Sequence, residues 1–91
     1  MKNCVYILLC RNGRYYIGST NNLKERLKRH HAGKVKATKY LRPLSLVFFQ
    51  EFSTIKQARQ VEYWLKKQKD RLLIEKIMQE GKIKKESYTP G

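Results

Sequence analysis

A chain of 91 residues has room for one domain, near the lower size at which a core forms without disulfides or metals. An apolar share of 41%, with six tyrosines, three phenylalanines and a tryptophan, excludes a wholly disordered chain, and no apolar run is long enough to span a bilayer. Twenty-one Lys and Arg against seven Asp and Glu leave a net charge of +14, so the expected partners are polyanions: nucleic acid, an anionic membrane surface or structural RNA.

Cys4–Cys10 is a continuous apolar run rich in β-branched and aromatic residues, which predicts a central strand covered on both faces. Its two cysteines would lie roughly 20 Å apart along the strand, beyond disulfide reach, and they have no histidine pair to make a zinc site. Buried, reduced thiols in a cytoplasmic protein are expected, and no small-residue cleavage site suggests a secretory signal. Arg11-Asn12-Gly13-Arg14 is a hairpin signal, and Arg14–Thr20 is the second strand. A two-residue turn would put Tyr6 and Tyr16 on opposite faces of the sheet. A site shared by both tyrosines needs them on one face, so a three-residue loop with Gly13 in the left-handed region is expected, pairing Leu8 with Tyr16. A bulge in either strand would restore the parity instead.

Asn21-Asn22 offers an N-cap for a helix over Leu23–His31, which should stop before Gly33. Lys34–Pro43 is a basic connection without periodicity. Leu44–Phe52 is the third strand, Ser53-Thr54 caps a helix over Ile55–Gln68, and Asp70 caps a last helix ending at Gly81. Lys82–Gly91 is polar and basic and is expected to be a flexible tail, which places a single domain at 1–81. The order ββαβαα, with a hairpin at its start, predicts an α+β fold: a small three-stranded antiparallel or mixed sheet with helices packed on it.

Three features carry chemistry. At about 100° per residue, Arg26 and His30 fall one turn apart, flanking the apolar stripe of Leu23 and Leu27. They serve either as packing residues, the arginine snorkelling, or as a polar pair facing the sheet. Glu62 sits in the apolar arc of Ala58, Val61 and Leu65, where a carboxylate needs a cationic partner such as Arg59 or a hard metal ion. Lysines and arginines interleaved with tyrosines suit stacking and charge contacts to single-stranded nucleic acid.

Cys4-Val5-Tyr6 and Tyr16-Ile17-Gly18, followed by Ser19-Thr20-Asn21-Asn22-Leu23 and then Arg26, Leu27 and His30, resemble the GIY-YIG nuclease module. The second triplet matches in full. The first keeps the tyrosine, with Cys4 for glycine and Val5 for isoleucine. The resemblance covers residues 3 to 80 and is strongest to short, free-standing bacterial members. No asparagine follows Asn22, where the family often has one near the end of its core.

The resemblance implies a metal-dependent endonuclease that hydrolyses phosphodiesters of nucleic acid, DNA ahead of RNA, by tyrosine-assisted attack of water. Tyr6 and Tyr16 would be the active-site tyrosines, Arg26 the arginine facing the transition state, and His30 the polar residue one turn on. Gly18 would be the structural glycine of the motif. Glu62 would hold one Mg²⁺, or another divalent cation, weakly until substrate arrives. Lys34, Lys36, Lys39 and Arg42, clustered in one loop, would grip phosphates. No organic cofactor and no membrane are implied, and a monomer is expected. The competing reading is a non-catalytic nucleic-acid-binding module that keeps the same fold. It accounts for the charge but not for Arg26 with His30, nor for Glu62 in an apolar arc.

Overall fold

The computed structural model describes residues 2–84. Strands β1 (Asn3–Leu9) and β2 (Tyr15–Thr20) are followed by helix α1 (Leu23–His31), a 3-10 turn (Lys39–Leu41), strand β3 (Ser45–Phe52), and helices α2 (Ile55–Gln68) and α3 (Arg71–Glu80). The sheet order is β2-β1-β3 and every pairing is antiparallel. The helices begin where short polar side chains accept from the first turn: Asn22 from Glu25 N–H, Thr54 from Gln57 N–H, and Asp70 from Leu72 and Leu73 N–H. Gly81, at φ 80°, ends α3 in the left-handed conformation that glycine takes without penalty. No helix of the described residues is long and apolar enough to cross a membrane.

Central β1 is buried from Cys4 to Leu8 because both its faces are covered. Val5 and Ile7 point into the larger core, against Phe48, Ala58, Val61 and Leu65, with Ile74 and Ile77 of α3 in the same cluster. Tyr6 and Leu8 point the other way, into a smaller core with Cys10, Leu44, Leu23 and Leu27 beneath α1. This division explains the unbroken apolar run, since each alternate set of side chains has its own helix to meet.

Arg11-Asn12-Gly13 is a three-residue loop. Cys10 N–H donates to Arg14 C=O, Gly13 N–H donates to Cys10 C=O, and Gly13 stands at φ 84°. The register pairs Leu8 with Tyr16 and Tyr6 with Gly18, so both tyrosines lie on the α1 face. A bulge shifts register between β1 and β3 after Ile7, while the β1–β2 register that places the tyrosines is unbroken.

One expectation is corrected. The composition predicts a polar tail from Lys82 onward, but Ile83 is buried in the larger core and its N–H donates to Gln50 Oε1 at 2.7 Å. A single isoleucine among lysines has no periodicity to mark it, yet it joins the same buried cluster as Ile74 and Ile77 of α3. The remainder of the expected tail, residues 85–91, lies outside the described residues.

Candidate active site

The site is assembled on the α1 face, where Tyr6 of β1 lies across Gly18 of β2. A Cβ at Gly18 would overlap the Tyr6 hydroxyl and Cζ, so the motif glycine is the gap that the tyrosine ring fills. The Tyr6 hydroxyl meets His30 Nε2 at 2.9 Å and receives a hydrogen bond from Arg26 Nε at 3.4 Å. His30 Nδ1 meets Thr38 Oγ1 at 2.8 Å. Tyr16 packs edge-on to His30, with ring centroids 5.2 Å apart, and lies 6.3 Å from Tyr6.

Tyr6, His30 and Thr38 are fully buried, whereas Arg26 and Tyr16 are half-buried. Each buried polar group therefore finds its partner inside the chain Arg26–Tyr6–His30–Thr38. Every link is satisfied if Tyr6 accepts from Arg26 and donates to His30 Nε2, which leaves the proton of a neutral imidazole on Nδ1 for Thr38. Burial pushes the Tyr6 hydroxyl up to about 12, opposed by its bond to Arg26 and reinforced by Tyr16 and Glu62. Burial also pushes His30 down to about 4, helped by the positive charges of Arg26, His31 and Arg29. The Tyr6 contact holds Arg26 still more firmly in its charged form. At neutral pH the center is thus a neutral phenol and a neutral imidazole beside one guanidinium.

The second half of the site wraps around the free edge of β2. Ser19 alternates to the α2 face, and its hydroxyl donates to Glu62 Oε1. Glu62 Oε2 pairs with Lys66 Nζ at 2.6 Å, one helical turn away, and that same ammonium sits 5.8 Å from the centroid of the Tyr16 ring. The Glu62 partner is Lys66, not the Arg59 weighed from sequence, which is exposed. Glu62 itself is partly buried, and its charge acts on both Tyr6 and Arg26.

The basic loop is anchored to this center by Thr38. Lys34, Lys36 and Lys39 are exposed, as phosphate contacts would need to be. Arg42 behaves differently, because its Nε donates to Lys39 C=O and its Nη1 to His31 C=O, while its guanidinium lies over Gly33. It clasps the loop onto the end of α1, so its charge is tied down. Tyr40 and Tyr63 are well exposed, each with a lysine ammonium over its ring, Lys39 and Lys67.

Thr38, Ser19 and Lys66 were missed by sequence reasoning. Lys66 had a signal, the four-residue spacing from Glu62. Ser19 had a weaker one, as the residue after the motif glycine. Thr38 had none, being one polar residue in a loop without a period.

A strand tyrosine bonded to a helix arginine and histidine, with a carboxylate brought round the sheet edge, defines a class. The model of the GIY-YIG catalytic domain matches residues 2–77, and the chain belongs to that family. Similar proteins include the UPF0213 protein YazA of Bacillus subtilis, 44% identical over 63 residues, which are 68% of this chain and 64% of that protein. The UPF0213 protein CPE1444 of Clostridium perfringens is 39% identical over 89 residues, covering 92% of this chain and 96% of its own. The solution NMR structure of the UPF0213 protein BH0048 from Bacillus halodurans superposes with a TM-score of 0.57 at 33% identity, covering 98% of this chain and 95% of that one.

Proposed function

We propose that the protein is a divalent-metal-dependent endonuclease that hydrolyses phosphodiester bonds of nucleic acid, with DNA a stronger candidate substrate than RNA. The observation that carries this reading is the chain Arg26–Tyr6–His30–Thr38, which holds a guanidinium at the mouth of a buried polar center. Tyr6 takes Arg26 Nε and so leaves the terminal guanidinium nitrogens for two phosphate oxygens. Tyr16 is the more accessible tyrosine, flanked by His30 and Lys66, and is the side chain suited to orient the attacking water. Tyr6, fully buried and held neutral, is a positioning residue. His30 works as a neutral hydrogen-bonding group and not as a cation.

The donor set suits a hard cation. Glu62 supplies carboxylate oxygens and Ser19 a hydroxyl, and no group of three His, Cys, Asp or Glu among the described residues could hold an ion. Glu62 with water and substrate phosphate would therefore complete the shell, giving weak binding to the free protein. When bound, such a cation supplies positive charge to the phosphoryl oxygens in the transition state.

Cleavage of single-stranded, duplex and branched DNA, and of RNA, measured with and without Mg²⁺, tests the reading. Glu62→Gln should lower cleavage at least about a hundredfold, with nucleic-acid affinity unchanged or slightly higher. Its melting temperature should stay near the parent value, because Lys66 is half-exposed and the amide oxygen can still accept from the Ser19 hydroxyl. Full activity in that variant would sink the metal assignment. A parent protein inert on every substrate would favour the binding module, a reading supported by the engagement of both Glu62 oxygens in the free chain.

A further inference from the structure

Beside the tyrosine center a cleft of about 610 Å³ opens between β2 and the junction of α2 with α3. Arg14, Tyr16, Lys66, Lys69 and Arg71 line it. Its one acid, Asp70, accepts from the Leu72 and Leu73 N–H groups as the cap of α3. Arg71 is tied down by Glu75, by the Gly13 carbonyl and by the Tyr15 ring. Arg14 and Lys69 are exposed. Lys69 ends α2 at φ 48°, the only non-glycine at positive φ among the described residues. Glycine would take that conformation without strain, so a lysine there keeps a cation at the rim of the cleft against a backbone penalty.

Lys66 belongs to the cleft and to the carboxylate at once. Its ammonium occupies the Glu62 oxygen that a divalent cation would need, since Ser19 holds the other. Half of the Lys66 side-chain surface meets solvent, so its head can leave the carboxylate, and a cation arriving at Glu62 would replace the charge that Lys66 withdraws. The long stem of a lysine lets its head change partners without any shift of the helix.

We propose that this cleft binds a backbone phosphate of the nucleic acid, and that Lys66 passes from Glu62 to that phosphate as a divalent cation takes the carboxylate. The proposal rests on the reading of Glu62 as the metal-binding residue. Metal and substrate then help one another to bind, because each relieves the charge that the other leaves unpaired.

Mn²⁺ binding to the whole free protein, followed by electron paramagnetic resonance, separates the parts. Lys66→Gln should bind Mn²⁺ about fivefold more tightly than the parent, the competing ammonium being gone, and Glu62→Gln should lose the site. Equal or weaker binding by Lys66→Gln, or no binding by either it or the parent, overturns the exchange. If Glu62→Gln binds Mn²⁺ as the parent does, the underlying metal assignment fails and takes the exchange with it. For the cleft, fluorescence anisotropy with a short labelled DNA duplex compares the parent with Arg14→Gln/Lys69→Gln. The double variant should flatten the salt slope by about 0.9, the share of the one phosphate contact removed. An unchanged slope places the phosphate elsewhere.

Discussion

The two faces of β1 share a backbone and almost nothing else. The face toward α2 and α3 is packed with Val5, Ile7, Val61, Leu65, Ile74 and Ile77, and its stability comes from apolar area removed from water. The face toward α1 buries a tyrosine, a histidine and a threonine as completely as any leucine, and tolerates them only because each has a partner. One sheet thus separates an apolar support from a polar center. The first can lose a methyl group and relax, whereas the second fails at a single unmet hydrogen bond.

Ile77→Ala tests the apolar face. A buried isoleucine of α3 in the larger core should take about 2–5 kcal/mol with it, read as a fall in the denaturation midpoint. Cleavage per folded molecule should not change. A parallel loss of activity in fully folded protein would show that the two faces are not independent.

Acid tests the polar face. His30 is held at about 4 against an ordinary value near 6.5, so below pH 6.5 the unfolded chain takes up the proton first. Stability should fall by up to about 3 kcal/mol between pH 6.5 and pH 4, and level off below. Tyr6, raised to about 12, does the reverse: its contribution is present below about pH 10 and is lost as pH rises toward 12. Denaturation curves across pH should lose their acid slope in His30→Gln. An unaltered slope would assign the effect to other groups.

Thr38→Val is the smallest and most selective change. It keeps the shape and strands His30 Nδ1 without a partner in the interior, at a cost of about 1–3 kcal/mol. The imidazole nitrogen shifts by NMR should also change, because the neutral ring loses the contact that selects its tautomer. Unchanged shifts would mean that Tyr6 alone orients His30.

Much of this architecture was legible from local chemistry. Asn22, Thr54 and Asp70 marked the helix starts because capping depends on one short side chain and its next few residues. The hairpin geometry followed from requiring Tyr6 and Tyr16 on one face. Non-local partners were harder to see. Thr38 reaches His30 from an irregular loop, and Ile83 returns to the core after the last helix, so neither contact leaves a periodic trace. The basic loop shows a different limit. Charge alone does not reveal that Arg42, exposed like Lys34, Lys36 and Lys39, also gives its Nε and Nη1 donors to backbone carbonyls.

The loop at Arg11-Asn12-Gly13 touches none of the candidate catalytic side chains, yet it keeps count for them. Its length is odd, and side chains along the returning strand alternate as strictly as even and odd numbers. Remove one residue without a compensating bulge, and Tyr16 changes sides with Ile17, leaving the histidine to face an aliphatic chain. A family descending through this hairpin can therefore spell those three positions with some freedom, provided the glycine that turns the chain is kept. It cannot so easily shorten them by one, and insertions are safest in pairs.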